Sequence, residues 1–573
     1  MKAKNNMING SKHYLFKISF TLFLFIFPLF SIAQLTIEGK VIDKDHNPLP
    51  FVNVYIKGTT HGTTTNSKGE FSLKIKEKNK NKKIVFTYIG YEKKIKRINI
   101  EKELTVTLKK EDVKLEEVKV KSGKDPAYRI IEKTKEKREY HLNQVKAYSG
   151  KVYMKGTAYL NSYPDWAEGN MNLNNTAILD DSTDSDSSKS NLVYLTESLT
   201  KFHYKKPDHY KEEMISSKVS GSLYGFSSNR TLGLLFNFYK NKLNTGVSER
   251  KFISPIASSS ALYYDYKLMG TFEDEGEVIN KIKVIPKRKH DPIFHGEIYI
   301  VDGKWKIHSV NLYITGDSPV QMIDTAKYKQ SYVPVKDSIW MPLSLEIKYH
   351  FNTMGFDIIY EQVGVFSDYQ INKNFQKGFF DNEVFKIKKG ARKQDSTYWN
   401  KKRSVKLTED EKENYEKGDS LAKLKTSKEY LDSIDKKNNK FKPFNFILSG
   451  YSYDKSYDSV KYSLESLLSS IKFNAIEGWV LNLTPKYKNY KDPDKTISID
   501  TDIRYGFASN KLFGKINTQY TYDRKHFGRF YLKGGKYPYQ YNHSNPIYPF
   551  YNSIYALSVK KDPIKLYDRT FLK

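Results

Sequence analysis

LTIEGKVIDKDHNPLPFVNVYIKGTTHGTTTNSKGEFSLKI, residues 35 to 75, followed by IVFTYIGY at residues 84 to 91, is the stretch that decides the fold. Leu35, Ile37 and Gly39 alternate with Thr36, Glu38 and Lys40, a period of two that marks a half-buried strand. Asp45-His46-Asn47-Pro48 is turn chemistry, and Val52, Val54 and Ile56 supply the inward face of the next strand. A second turn falls at Asn66-Ser67-Lys68-Gly69, where glycine takes a positive φ at little steric cost. A last strand is expected over Glu103 to Leu108. Short strands at this spacing, separated by Gly, Pro and Asn turns, predict a small β-sandwich over residues 34–109.

Outward from this module, residues 1–33 read as a secretory signal. Lys2, Lys4, Lys12 and Lys17 form a basic stretch without acid, and Ile18 to Phe30 is an apolar core broken by Pro28. Ser31-Ile32-Ala33 sets cleavage before Gln34. The apolar core falls short of the ~20 residues needed to span a membrane as a helix. The chain has no Cys among its 573 residues, which excludes disulfides, thiolate metal sites and a lipid-modified N-terminal Cys. Its length implies several domains. A net charge of +31 raises the question of nucleic acid, but the Lys excess is spread along an exported chain with no concentrated basic helix, so no nucleic-acid partner is expected. The 45 Tyr and 33 Phe suit sheets and the aromatic girdles of membrane barrels.

Residues 110–124 form a charged linker. Within it, Lys114-Leu115-Glu116-Glu117-Val118-Lys119-Val120 resembles the short segment that contacts TonB in TonB-dependent receptors, although an edge strand plus linker is the preferred reading. A helix follows, with Asp125 as N-cap, Pro126 at the first helical position and Ala127, Ile130, Ile131 and Thr134 on one face, ending near His141. Period two returns from Lys146 to Leu160, and 161–190 is a polar loop. From Leu192 to about Gln376 the chain is β-rich, with strands at Tyr263–Met269, Lys281–Pro286, Phe294–Val301, Trp305–Thr315 and Ser344–Phe351 and hairpin turns at Asp274-Glu275-Gly276 and Asp302-Gly303. Such hairpins predict a curved antiparallel sheet, which could cradle an acyl chain as periplasmic lipoprotein carriers do, an analogy of fold alone. Residues 407–437 turn helical behind a capping box, Thr408-Glu409-Asp410-Glu411, with a break near Gly418 and a thin stripe of Leu421, Leu424, Leu431 and Ile434. The central β-rich domain with its helices thus covers 125–440.

After Phe441 the alternation changes. Ile499, Thr501, Ile503, Tyr505 and Phe507 give a mostly apolar face, while Ser498, Asp500, Asp502, Arg504 and Gly506 are polar or small. Further strands fall at Trp479-Leu483, Leu512–Tyr522 and Phe530-Leu532. Asp and Arg on the inner face of a strand suit a wet lumen. Residues 441–573 are therefore read as the start of an outer-membrane β-barrel, with roughly four to six strands at the 9–11 residues each needs. Bacterial barrels need at least about 8.

The N-terminal pattern resembles the carboxypeptidase-regulatory-like domain, an accessory module. DPAYRIIEKTKEKREYHLNQVKAYSGKVYMKG, YLTESLTKFHYKKPDHYKEEMISSKVSG, INKIKVIPKRKHDPIFHGEIYIVDGKWKIHSVNLYIT and NAIEGWVLNLTPKYK extend the likeness. With them the whole mature chain is similar to the Bacteroidota outer-membrane family of unknown function that joins such a domain to a C-terminal barrel. The resemblance implies an outer-membrane location, no established activity and no catalytic residues. Family members run on past the point where this chain stops, so a C-terminally truncated barrel is expected, with a sheet edge that pairs with another chain as the alternative.

Residues of metal-binding type gather in three places. His209-Tyr210-Lys211-Glu212 has the HxxE form of a metallocarboxypeptidase ligand pair, but zinc needs a third protein ligand. His290, Asp291, His295 and Glu297 form a second cluster, and Asp180, Asp181, Asp184 and Asp186 a third that lacks the Gly and distal Glu of a calcium loop. HExxH, GxSxG and P-loop motifs are missing. No catalytic, cofactor-binding or metal residue is assigned, and the chain is expected not to be an enzyme.

The function expected is an outer-membrane-anchored envelope protein with N-terminal domains in the periplasm, serving binding or assembly. Its partners would be outer-membrane lipid, the barrel assembly machinery and an unidentified periplasmic protein, glycan or lipid. The alternatives are a TonB-dependent-receptor-like transporter component, which would need a plug domain, and a metallocarboxypeptidase-related enzyme.

Overall fold

The computed structural model describes residues 35–75, 79, 81–98, 103–111, 124–164, 191–221, 230–320, 322–336, 338–492, 494–524, 526–542, 546–559 and 562–573. The leader, the TonB-contact-like stretch at Lys114–Val120 and the acidic cluster at Asp180–Asp186 lie outside the described residues. The chain is mainly β and divides into two compact units, Met1–Gly418 and Asp419–Lys573.

In the first unit, β1 (Leu35–Ile42), β2 (Asn53–Ile56), β3 (Gly62–Thr64), β4 (Glu70–Ile75), β5 (Lys83–Tyr88), β6 (Tyr91–Arg97) and β7 (Leu104–Thr107) build the sandwich. They pair as two sheets, β4-β1-β7 and β3-β2-β5-β6. Along β1, Ile37, Gly39 and Val41 are buried while Glu38 and Lys40 are exposed, as the period predicts. Val54, Ile56, Phe71, Leu73, Ile84, Phe86 and Val106 join Ile37 and Val41 in the core. Gly69 sits at φ 74°, the left-handed turn conformation expected of it.

Helix α1 (Pro126–Asn143) starts as its sequence directs: the Asp125 carboxylate accepts the Ala127 N–H at 2.9 Å. Ala127, Ile130, Ile131 and Thr134 form the buried face, with Arg138 one turn on. The same carboxylate accepts the Leu268 N–H at 3.0 Å and so ties the helix start to the sheet. That sheet comprises β8 (Ala147–Ser162), β9 (Leu192–Lys205), β10 (His209–Gly221), β13 (Tyr264–Asp274), β14 (Glu277–Pro286), β15 (His295–Val301), β16 (Lys306–Thr315), β17 (Thr325–Lys336), β18 (Ile339–Thr353), β19 (Phe356–Ile371) and β20 (Phe385–Ile387). Two-residue strands β11 (Lys242–Leu243) and β12 (Phe252–Ile253) pair separately. The order is β13-β14-β15-β16-β17-β18-β19-β8-β9-β10-β20. Glu275 and Gly276 both take positive φ, 51° and 81°, the conformation of a two-residue hairpin turn.

One face of this sheet packs Val152, Phe202, Ile298 and Leu312 against α1 and against a largely irregular segment that brings in Leu234, Phe236, Phe238, Phe252 and Ile256. The surface an acyl chain would need is therefore filled by the protein's own side chains. Crevices of about 10 and 20 Å³ lie beside the sandwich, on the scale of a single water.

The opposite face carries the sandwich and a strap made of α2 (Ser396–Lys402) and the start of α3 (Glu409–Thr426). Tyr153, Val363, Trp399 and Val405 cluster with Phe51, and Tyr55 and Val85 meet Val333 and Leu343. Beneath the strap, Arg403 grips the fully buried Glu197 with two bonds of 2.7 Å, and Lys155 meets Glu411 at 2.5 Å. The capping box forms: the Thr408 N–H donates to Glu411 Oε2 at 2.9 Å, and the Glu411 N–H donates to Thr408 Oγ1 at 3.4 Å. Contrary to expectation, α3 runs through Gly418 without a break. A Cβ at Gly418 would lie 2.4 Å from Ser220 Oγ, so the glycine serves close packing rather than helix termination.

The second unit holds α4 (Lys428–Asn438), capped by Ser427, then α5 (Pro443–Ser449), β21 (Tyr451–Lys455), β22 (Val460–Leu464), α6 (Leu467–Ser470), β23 (Ile471–Asn474), β24 (Gly478–Leu483), β25 (Pro485–Asp492), β26 (Lys495–Gly506), β27 (Lys511–Asp523), β28 (Gly528–Gln540), α7 (Pro549–Val559) and β29 (Leu566–Leu572). They form a sheet of nine strands, more than the roughly four to six that barrel-strand length predicts. Two long strands are each split, β22 from β23 by α6 and β24 from β25 at Thr484, which adds short strands the alternation does not register. Among the described residues, β21 pairs with β22 alone and β29 with β28 alone, so the sheet is open.

Candidate functional site

The HxxE residues do not converge. Positions three apart on a strand point to opposite faces. His209 is exposed and lies against Phe380, whereas Glu212 is fully buried. Arg230 Nε, the Tyr210 hydroxyl at 2.8 Å and the Thr231 N–H at 2.9 Å all donate to the Glu212 carboxylate, which leaves it committed to the fold. Burial and the Glu212 charge hold the Tyr210 phenol well above its ordinary range. The second cluster is dispersed too. His290 bonds the Asp317 carbonyl, Asp291 pairs with Arg288, His295 stacks on Tyr313, and Glu297 is held by Lys281 at 3.0 Å and the Tyr299 hydroxyl at 2.7 Å. Among the described residues, no group of three or more His, Asp or Glu is arranged to hold a metal ion.

The feature that stands out is the C-terminal sheet. Register places Tyr487, Ile499, Thr518 and Leu532 side by side, and Ile497, Tyr520 and Phe530 in the next row. Tyr505 pairs with Leu481 on one side and Leu512 on the other. These residues share one face, and among the described residues of the unit nothing covers it: Leu512 is 70% exposed, Phe530 58% and Ile503 43%. A one-sided sheet in a water-soluble domain packs its apolar face on a core and turns its polar face to solvent. Here the apolar face is the open one.

The other face is polar and internally bonded. Glu477 and Arg504, both nearly buried, form a two-point ion pair with one bond at 3.0 Å. Lys515 reaches Asp502 at 3.3 Å and lies 4.1 Å from the Tyr537 ring centre, while the Tyr537 hydroxyl donates to Asn482 Oδ1 at 2.6 Å. The strands thus alternate between an open apolar face and a bonded polar face, a pattern that transmembrane strands also show. Two helices add to the open apolar surface: α5 exposes Phe444, Ile447 and Leu448, and α7 exposes Phe550, Ile554 and Leu557. Neither helix was legible from periodicity. Both begin with a Pro at the first turn, and α7 carries no charged residue, the two signals that could have found them. Among the described residues, no helix is long and apolar enough to cross a membrane. Crossing by strands is a separate matter.

Comparison with known proteins gives three family matches. Residues 37–120 match the CarboxypepD_reg-like domain, 130–369 the family of unknown function DUF5686, and 444–573 the C-terminal domain of that family. One curated relative, the TonB-dependent receptor P39 of Formosa agariphila, is 38% identical over 88 residues, which span 15% of this chain and 8% of the receptor. Solved structures that resemble part of the chain include a LolA superfamily protein from Nitrosomonas europaea, with 10% identity and a TM-score of 0.19. A putative outer membrane lipoprotein-sorting protein domain from Vibrio parahaemolyticus has 12% identity and a TM-score of 0.21. Each covers 45% of this chain and 98% of the other. At these scores the likeness does not extend to function.

Proposed function

For this chain, which joins a CarboxypepD_reg-like domain to both domains of the DUF5686 family, we propose the role of a non-catalytic envelope protein anchored in the outer membrane by its C-terminal sheet. The observation that carries the reading is the uncovered apolar face of β24 to β28 behind a bonded polar face. Burying apolar area of this kind is worth roughly 25 cal/mol per Å², and a bilayer is the medium that removes it from water without a protein partner. The leader with Lys2 to Lys17 supports export. Residues 34–440 precede the sheet and are assigned to the periplasm, where the sandwich and the eleven-stranded sheet serve binding or assembly. The partners that follow are outer-membrane lipid and the machinery that inserts barrels.

Cells making this chain test the reading. After density separation of membranes and an alkaline carbonate wash, the protein should stay with the outer-membrane fraction, and external protease should leave residues 34–440 intact. Recovery in the soluble periplasmic fraction would end the anchoring proposal. Cleavage of 34–440 from outside would place those domains on the cell surface.

A further inference from the structure

Helix α7 is built inside out. Its sequence, PFYNSIYALSV, contains no charged residue. The side it buries carries Asn552, Ser553 and Ala556, while Tyr551, Ile554, Tyr555 and Leu557 stand between 47% and 69% exposed. A surface helix of a water-soluble domain does the opposite, burying its apolar stripe.

What the polar side meets explains the inversion. Among the described residues, strand β23 pairs with β24 alone, so its other edge carries no described strand. Helix α7 lies along that edge, and Ser553 Oγ accepts the Phe473 N–H at 2.9 Å while donating to the Pro549 carbonyl at 2.8 Å. Beyond the helix, the Asp562 carboxylate accepts the Ala475 N–H in the turn that follows β23. In water such edge groups are satisfied by solvent at no cost. Inside a bilayer each unpaired group costs several kcal/mol, and an edge must be closed by protein.

We propose that α7 is a lipid-facing cover for the β23 edge, its hydroxyl side bonded to the strand and its apolar side in contact with the membrane. The proposal rests on the reading that the C-terminal sheet faces lipid. Eleven residues at 1.5 Å rise make about 16 Å, roughly half of a 30 Å hydrocarbon core, so the helix lies within one leaflet and does not span. Tyr548, Tyr551 and Tyr555 place amphipathic rings where the headgroups begin.

Because the chain has no Cys, single cysteines can be introduced without removing any. Ile554→Cys and Leu557→Cys report on the outward side of α7, Ile516→Cys on the apolar face of the sheet, and Asn517→Cys on the polar face. Each full-length variant is nitroxide-labelled and reconstituted into phosphatidylethanolamine–phosphatidylglycerol vesicles. Collisions with oxygen, which concentrates in lipid, are compared with collisions with a water-soluble nickel chelate. The expected result is an oxygen-to-nickel ratio at 554 and 557 that matches 516 and exceeds 517 several-fold. A lipid-like 516 with nickel-accessible 554 and 557 overturns the proposal and leaves the anchor standing. Labels at 554 and 557 shielded from both reagents also overturn it, because the helix is then covered by protein, a second copy included. A nickel-accessible 516 removes the anchor reading itself.

Discussion

Replacing Arg403 by Met should unlatch the strap that joins the N-terminal sandwich to the central sheet. Glu197 is fully buried, and its two oxygens receive Arg403 Nε and Nη2 at 2.7 Å each, with the Tyr153 hydroxyl also donating to Oε1. The variant strips that buried carboxylate of its guanidinium while the Tyr153 phenol still donates to it. Removing one member of a buried ion pair costs about 3–5 kcal/mol, against about 0–1 kcal/mol for a solvent-exposed bridge. The larger range applies, because both guanidinium bonds are lost inside the packed layer around Trp399 and Val405. The strap also holds the sandwich directly. Thr63 donates to the Ser404 carbonyl, Lys74 Nζ lies 3.3 Å from the Arg403 carbonyl, and Lys406 pairs with Glu38 at 3.7 Å. Urea denaturation of the detergent-solubilised chain, followed by tryptophan fluorescence with the buried Trp399 as a local reporter, measures the loss. The double variant Glu197→Gln with Arg403→Met should recover part of it, because no charge then stays buried. A loss below about 1 kcal/mol for Arg403→Met would refute the reasoning, since the pair would then behave as a surface bridge.

Two further outcomes are expected. Glu111 is held at a pKa of about 8, above its usual 4.5, chiefly by burial, with Lys281 opposing and Asp274, Glu297 and Glu92 adding to the rise. The folded chain keeps this proton while the unfolded chain releases it, so stability is present in full below pH 4.5 and falls as pH rises towards 8; Glu111→Gln should therefore melt higher than the parent at pH 8 and alike at pH 4, and equal melting at both would contradict the assignment. Alanine normally stabilises a helix interior over glycine by about 0.5–1 kcal/mol, but Gly418→Ala should instead destabilise by about 1–3 kcal/mol through overpacking on Ser220, with Ser220→Ala restoring stability; a higher melting temperature for the single variant would show that the contact yields.

How far the sequence carried depends on the range of the interaction. Asp125, Pro126 and the 127/130/131/134 face, the Thr408–Glu411 box, Gly69 and the Glu275-Gly276 turn are local devices, and the structure uses each as its residues imply. Gly418 was misread because helix propensity is local while the reason for the glycine is Ser220, far away in sequence. The filling of the eleven-stranded sheet by Phe236, Phe238 and Phe252 was invisible for another reason: that segment has no period to read. The HxxE pair failed on geometry, since strand residues three apart face opposite ways. In the C-terminal unit the alternation of β26 located the two faces correctly, yet α7 escaped notice because its polarity is set by a strand edge some eighty residues earlier.

The central claim is that one face of the C-terminal sheet meets lipid and the other water. Single cysteines at successive positions of β26, reacted in native membranes with a membrane-impermeant maleimide under conditions that admit it to the periplasm and outer surface, test it most directly. The account predicts alternation, with Ser498, Asp500 and Asp502 labelled and Ile499, Thr501 and Ile503 protected until detergent is added. Labelling of both sets alike before detergent would contradict it.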